Sequence, residues 1–197
     1  MRTHLKRHLS QMSEGADEGF TLIELLVVLL ILGILLAIAI PTFLTVTKSA
    51  TNTAVTSNLQ TALTGADTYY TQNNGNYTSL IGSTSVSDIS KEGTGLTYVS
   101  NAASTGNKVI SVDVVDSSDL FLAAWNGSNR CYAIADQKST GGLGITGLTG
   151  TDTYYGWYPA TTSAACTAKS STVIGSTGVS TTAGKPGAWT NTGGFPA

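Results

Sequence analysis

From Phe20 to Ile40 nearly every position is apolar, and Glu24 is the only charge in the run. A helix of about 21 such residues, rising 1.5 Å each, matches the hydrocarbon thickness of a bilayer. Beyond Pro41 the pattern changes. Ala50, Ala54, Val55, Leu59, Ala62, Leu63, Ala66, Tyr69 and Tyr70 recur at helical spacings, with Thr, Ser, Asn and Gln between them. That stripe predicts an amphipathic continuation of the helix over residues 42–72. Threonine is a poor helix former, so the stripe must pack against something to hold. Gln72-Asn73-Asn74-Gly75 supplies a stop signal.

Residues 73–93 read as a connecting loop rich in Gly, Ser and Thr. Four strand patterns follow, at Leu96–Val99, Val109–Val115, Leu120–Trp125 and Cys131–Ala135. Asp116-Ser117-Ser118-Asp119 and Asn126-Gly127-Ser128-Asn129 are turn-like separators. From Gly141 onward the chain is a Gly/Thr/Ser-rich tail with one aromatic island, Tyr154-Tyr155-Gly156-Trp157-Tyr158. The expected fold is α+β. A long N-terminal helix packs its amphipathic half on a small four-stranded antiparallel meander, and residues 73–197 form a globular head.

Composition narrows the chemistry. Only 11% of the 197 residues are charged, and the formal net charge is −2. Past Pro41 the basic residues are scattered singly, so no stripe exists to neutralise phosphates and no dedicated nucleic-acid binding is expected. Both histidines, His4 and His8, precede the apolar run. If that leader is removed, imidazole catalysis and imidazole metal ligation go with it. No nucleophile–base set, cofactor site or metal site is expected, and an enzyme is disfavoured. Asp113, Asp116 and Asp119 cluster closely enough to raise calcium, against one strand carboxylate and two turn residues. The aromatic island raises sugar stacking, against a core or interface role. Asn76-Tyr77-Thr78 and Asn126-Gly127-Ser128 fit the glycosylation triplet, which chance also produces in so Ser/Thr-rich a chain. Cys131 and Cys166 are the only thiols, and beyond a membrane segment they read as one disulfide. Such a bridge would close a loop worth roughly 3–4 kcal/mol at most.

The start of the chain is basic at Arg2, His4, Lys6, Arg7 and His8, then acidic at Glu14, Asp17 and Glu18, and ends at Gly19. The apolar run after it is too long for an ordinary secretory signal, and no Ala-x-Ala site follows. Taken alone, this describes an uncleaved signal anchor carrying a monomeric binding module.

The string Gly19-Phe20-Thr21-Leu22-Ile23-Glu24-Leu25-Leu26-Val27-Val28 resembles the cleavage and methylation motif of prepilins, the precursors of type IV pilins and type II secretion pseudopilins. The strong match covers about residues 19–44. The resemblance implies a pilin-like fold and removal of a leader, residues 1–19, by a prepilin peptidase cutting between Gly19 and Phe20. It further implies N-methylation of Phe20, an assembly helix over residues 20–41, and an assembly role for Glu24. Gly33 and Pro41 match the family's helix-loosening glycine and kinking proline. Tyr69–Thr78 resembles the helix-exit segment of many pilins. The long leader suits type IVb members, whereas Phe after the cut suits type IVa. The implied product is a structural subunit held in the membrane by its helix, then polymerised into an extracellular filament on the bacterial surface. Its partners would be like or related subunits, the peptidase, membrane lipid and an inner-membrane assembly platform. A secretion pseudopilin and a minor or DNA-uptake pilin are the alternatives within the family. In pilins a C-terminal disulfide loop of the Cys131–Cys166 kind often forms exposed surface.

Overall fold

The computed structural model describes residues 20–80, 89, 94–140, 142–143, 150–168, 189–191 and 194–195. The leader, Gly19 included, lies outside the described residues. The chain divides into two compact units, Met1–Val46 and Thr47–Ala197. Helix α1 runs from Leu22 to Gln72.

In the first unit α1 begins at a reciprocal cap. Thr21 precedes the first helical residue and Glu24 lies three positions on, the spacing of a capping box. The apolar side chains from Leu22 to Val46 are all exposed. A window of this helix is long and apolar enough to cross a membrane. Pro41 lies inside α1 and has no N–H to offer the carbonyl of Ala37. The Thr42 hydroxyl donates to the Ile38 carbonyl at 3.1 Å, and that of Thr45 to the Pro41 carbonyl at 3.0 Å.

In the second unit the rest of α1 buries Val55, Leu59, Ala62, Leu63, Ala66 and Tyr69. These lie against Ile110, Val112, Leu120, Leu122, Tyr132, Ile134 and Trp157 of the sheet. Burying each large aliphatic side chain contributes about 1.5–3 kcal/mol, which is what holds a threonine-rich helix together. Thr53, Thr61, Thr64 and Thr68 also return their hydroxyls to the carbonyls four residues back. The helix stops at Gln72 because Asn74 and Gly75 turn left-handed, with φ of 56° and 74°.

The sheet has six strands in the order β1-β2-β3-β4-β5-β6. They are Thr97–Ser100, Val109–Val114, Asp119–Trp125, Arg130–Gln137, Asp152–Pro159 and Trp189–Thr190. The α+β, pilin-like reading holds, and two of its details need correction. The sheet is mixed, because β1 pairs parallel with β2, while the other neighbours run antiparallel. It also extends beyond the four-stranded meander. The aromatic island is the middle of β5, paired along its whole length with β4.

Both faces of the sheet are covered. Leu120, Leu122, Tyr132, Ile134 and Trp157 face the helix. Phe121, Ala123, Cys131, Ala133, Ala135 and Tyr154 lie on the opposite face, under Leu143, Ala160, Cys166, Ala168 and Trp189. A strand buried on both sides has no polar face, so alternation cannot reveal it. In β5 Gly156 sits opposite Ala133 on one side and Trp189 on the other. The disulfide joins Cys131 of β4 to Cys166 with Cα atoms 5.3 Å apart, pinning the returning chain to this outer face.

One turn depends on a missing side chain. The buried Asp119 carboxylate accepts the amides of Lys138 and Ser139 at 2.8 and 3.1 Å, together with the Ser139 hydroxyl. A Cβ on Gly142 would overlap that carboxylate and that hydroxyl. Gly142→Ala is therefore expected to destabilise the head by about 1–3 kcal/mol. The check is the urea midpoint of full-length protein in detergent, and an unchanged midpoint would refute the contact.

Candidate functional site

The first site is the head of α1. The Thr21 amide and hydroxyl both donate to Oε2 of Glu24 at 2.9 Å, and the Glu24 amide donates back to the Thr21 hydroxyl at 3.3 Å. Two otherwise orphaned amides at the helix start are thereby met, that of Thr21 by the carboxylate and that of Glu24 by the Thr21 hydroxyl. The Thr21-Leu22-Ile23-Glu24 spacing carried this signal in plain sight, and sequence reasoning passed over Thr21. Phe20 lies just before the cap with 86% of its surface exposed. Glu24 is the only charged residue between Phe20 and Ile40, on the exposed apolar stretch of α1. Further along, a Cβ at Gly33 would meet nothing within 4 Å, so no neighbour in the described structure demands glycine there.

The second is a charged cluster in the head that sequence reasoning missed entirely. Lys138 Nζ lies 2.8 Å from Asp67 Oδ1 and 3.0 Å from Asp136 Oδ2. Asp136 is 1% exposed. The Tyr77 hydroxyl donates to it at 2.7 Å and the Thr153 hydroxyl at 2.8 Å. The Tyr77 oxygen also lies 3.1 Å from Asp67 Oδ1. The cluster joins α1 through Asp67, the helix exit through Tyr77, β4 through Asp136 and β5 through Thr153. Burial, then the negative charges of Asp136 and Asp67, push the Tyr77 phenol far above its usual range. Burial works against the Lys138 ammonium, but its bonds and charge pairing with Asp67 and Asp136 outweigh that and raise its pKa. An ammonium held charged in this way is a clamp and not a nucleophile. No short motif could have signalled it, because its members come from four separate elements.

The three aspartates singled out for calcium do different jobs. Asp113 is half-buried on β2 opposite Phe121. Asp116 closes a turn by accepting the amides of Ser118 and Asp119 at 2.7 and 2.9 Å. Asp119 holds the turn at Lys138–Ser139. Among the described residues no group of three His, Cys, Asp or Glu is placed to hold a metal ion.

The glycosylation triplets also separate. Asn76 is exposed and accepts the Thr78 amide at 2.7 Å. Asn126 is 7% exposed, and its side-chain oxygen accepts the amides of Ser128, Asn129 and Arg130. Its amide nitrogen donates to Asn52. Those bonds leave Asn126 committed to the fold.

No curated protein and no solved structure matches the chain. Residues 16–40 match the family model described as the prokaryotic N-terminal methylation motif. That segment contains Gly19, Phe20, the Thr21–Glu24 cap and Gly33. The chain thus carries the type IV prepilin-type signature, which supports a place among type IV pilin-like and pseudopilin proteins.

Proposed function

We propose that this chain is a structural, non-catalytic subunit of a type IV pilus-like filament. The observation that carries the reading is the methylation motif set on a helix whose apolar residues from Leu22 to Val46 are all exposed. Such a surface needs lipid before assembly and other helices afterwards. In this reading a prepilin peptidase cuts between Gly19 and Phe20 and methylates the new amine. An inner-membrane platform then draws the subunit into the filament. Glu24 accepts the Phe20 amine of a neighbouring subunit, and Gly33 and Pro41 let the helix adjust as it leaves the bilayer. The head, closed by its disulfide, becomes the outer surface.

Intact mass of the protein from its native membrane tests the processing step. Loss of residues 1–19 with gain of one methyl group is expected. An uncleaved mass would instead leave a signal-anchored protein. Gly19→Val is expected to leave full-length precursor in the membrane, because a side chain at the scissile position obstructs the peptidase. A normal mature N-terminus from that variant would refute the assigned cut.

A further inference from the structure

We propose that the groove between α1 and β4 in the head binds a carboxylated sugar, a uronate unit of an acidic polysaccharide. The groove has a volume of about 390 Å³ and is lined by Asn52, Thr56 and Gln60 of α1, by Arg130 and Tyr132 of β4, and by Phe195. That volume suits one or two pyranose rings. Among the described residues Arg130 is the only charged side chain in the lining, and α1 carries no charge between Lys48 and Asp67. The Arg130 guanidinium lies over the Trp157 ring, 4.0 Å from its centroid. Among the described residues it forms no ion pair, since both pairs there belong to Lys138. A guanidinium steadied on an indole keeps its donor fork available for a carboxylate.

The rest of the lining suits a polyhydroxylated ring. Tyr132 and Phe195 meet edge to face at 5.5 Å, and Phe195 is braced again by Tyr155 at 5.3 Å. This gives a fixed aromatic wall for the C–H face of a sugar. Gln60 brings an amide to the same groove, Asn52 its amide nitrogen while its oxygen accepts from Asn126, and Thr56 an acceptor oxygen while its proton goes to the Thr53 carbonyl. One cation among several neutral donors and acceptors matches one carboxylate among several hydroxyls. A nucleic acid or polyphosphate would ask for a cation at each phosphate. A peptide adding as a strand would need a free sheet edge, and β4 is paired on both sides. The proposal rests on the head's geometry and is independent of whether the chain polymerises.

The test is isothermal titration of the full-length chain in detergent micelles with digalacturonate, using the neutral disaccharide galactobiose as control. Saturable digalacturonate binding at about millimolar strength or tighter is expected, with galactobiose at least about tenfold weaker. Arg130→Gln should weaken digalacturonate at least about tenfold, and Gln60→Ala, on the exposed side of the helix, by about threefold or more. Near-ultraviolet circular dichroism reports whether Arg130→Gln still folds. If it does not, Gln60→Ala and the galactobiose comparison decide. Absence of saturable binding up to about 10 mM, equal binding of galactobiose, or parental affinity in the folded variants would overturn the proposal.

Discussion

Cells whose only subunit carries Glu24→Gln are expected to insert and fold it normally yet build no filaments. The choice of glutamine follows from the cap. A glutamine oxygen at the same position still accepts from Thr21, so the helix start survives. What disappears is the negative charge. Glu24→Ala removes both, and losing the cap costs about 1 kcal/mol at the helix end. It also eases the helix into lipid by about 2–3 kcal/mol on insertion scales. Two roles for Glu24 are thereby separated. If the carboxylate only caps its own helix, glutamine builds filaments and alanine builds fewer. If it meets the amine of an incoming subunit, both variants leave that amine unpaired in an apolar bundle and both fail. Electron microscopy of sheared surface material, beside membrane-fraction immunoblots, reads the outcome. Abundant filaments from the glutamine strain would remove the pairing role and leave the cap.

Lys138→Met should strongly destabilise the head. It leaves Asp136, 1% exposed, without its cation, and removes the link from β4 to Asp67 of α1. Stranding a buried carboxylate is expected to cost about 2–4 kcal/mol, below the figure for full burial because Lys138 is itself partly exposed. Tyr77→Phe should cost about 1–2 kcal/mol, through one lost hydroxyl to Asp136. Asp136→Asn combined with Lys138→Met should recover part of the loss, since the stranded charge is then gone. The pH dependence has a fixed sign. The Lys138 pKa is raised on folding, so its contribution is complete below the ordinary lysine pKa of about 10.4 and falls as pH climbs through the folded value. The raised Tyr77 phenol acts in the same direction, because the unfolded chain ionises first. Urea midpoints of full-length protein in detergent should therefore be level up to about pH 9.5 and decline above it, less steeply in Lys138→Met. Equal midpoints for parent and Lys138→Met would show that the cluster contributes nothing.

How much of this was legible in the chain depends on range. The apolar run, the end of α1 at Gln72 and the stripe from Val55 to Tyr69 are local patterns, and the structure keeps them. Strands β2, β3 and β4 were legible because branched or apolar runs stood between turn residues. Strand β5 was not. Tyr154, Tyr155, Trp157 and Tyr158 offer no polar partner positions, and Gly156 reads as a breaker. Its burial comes from a helix on one side and the residues around Cys166 on the other, which no window on β5 contains. The parallel pairing of β1 was hidden for the same reason, because direction is set by where the chain returns. At the candidate site the motif residues lie within one short string. The Asp67–Tyr77–Asp136–Lys138 cluster exists only after folding.

The inward-turned hydroxyls of Thr42 and Thr45 have a consequence for the proposed passage from bilayer to filament. Each donor is already spent on a carbonyl of its own helix, at Ile38 and Pro41. What these threonines offer a neighbour is largely a methyl group. A lipid tail, a water molecule or a second helix can therefore lie beside them without leaving a hydroxyl proton unmet. Polar side chains that sought partners outside the helix would hold the segment wherever those partners were found. These two do not, so in the proposed passage from oil to protein these two hydroxyl bonds can stay as they are.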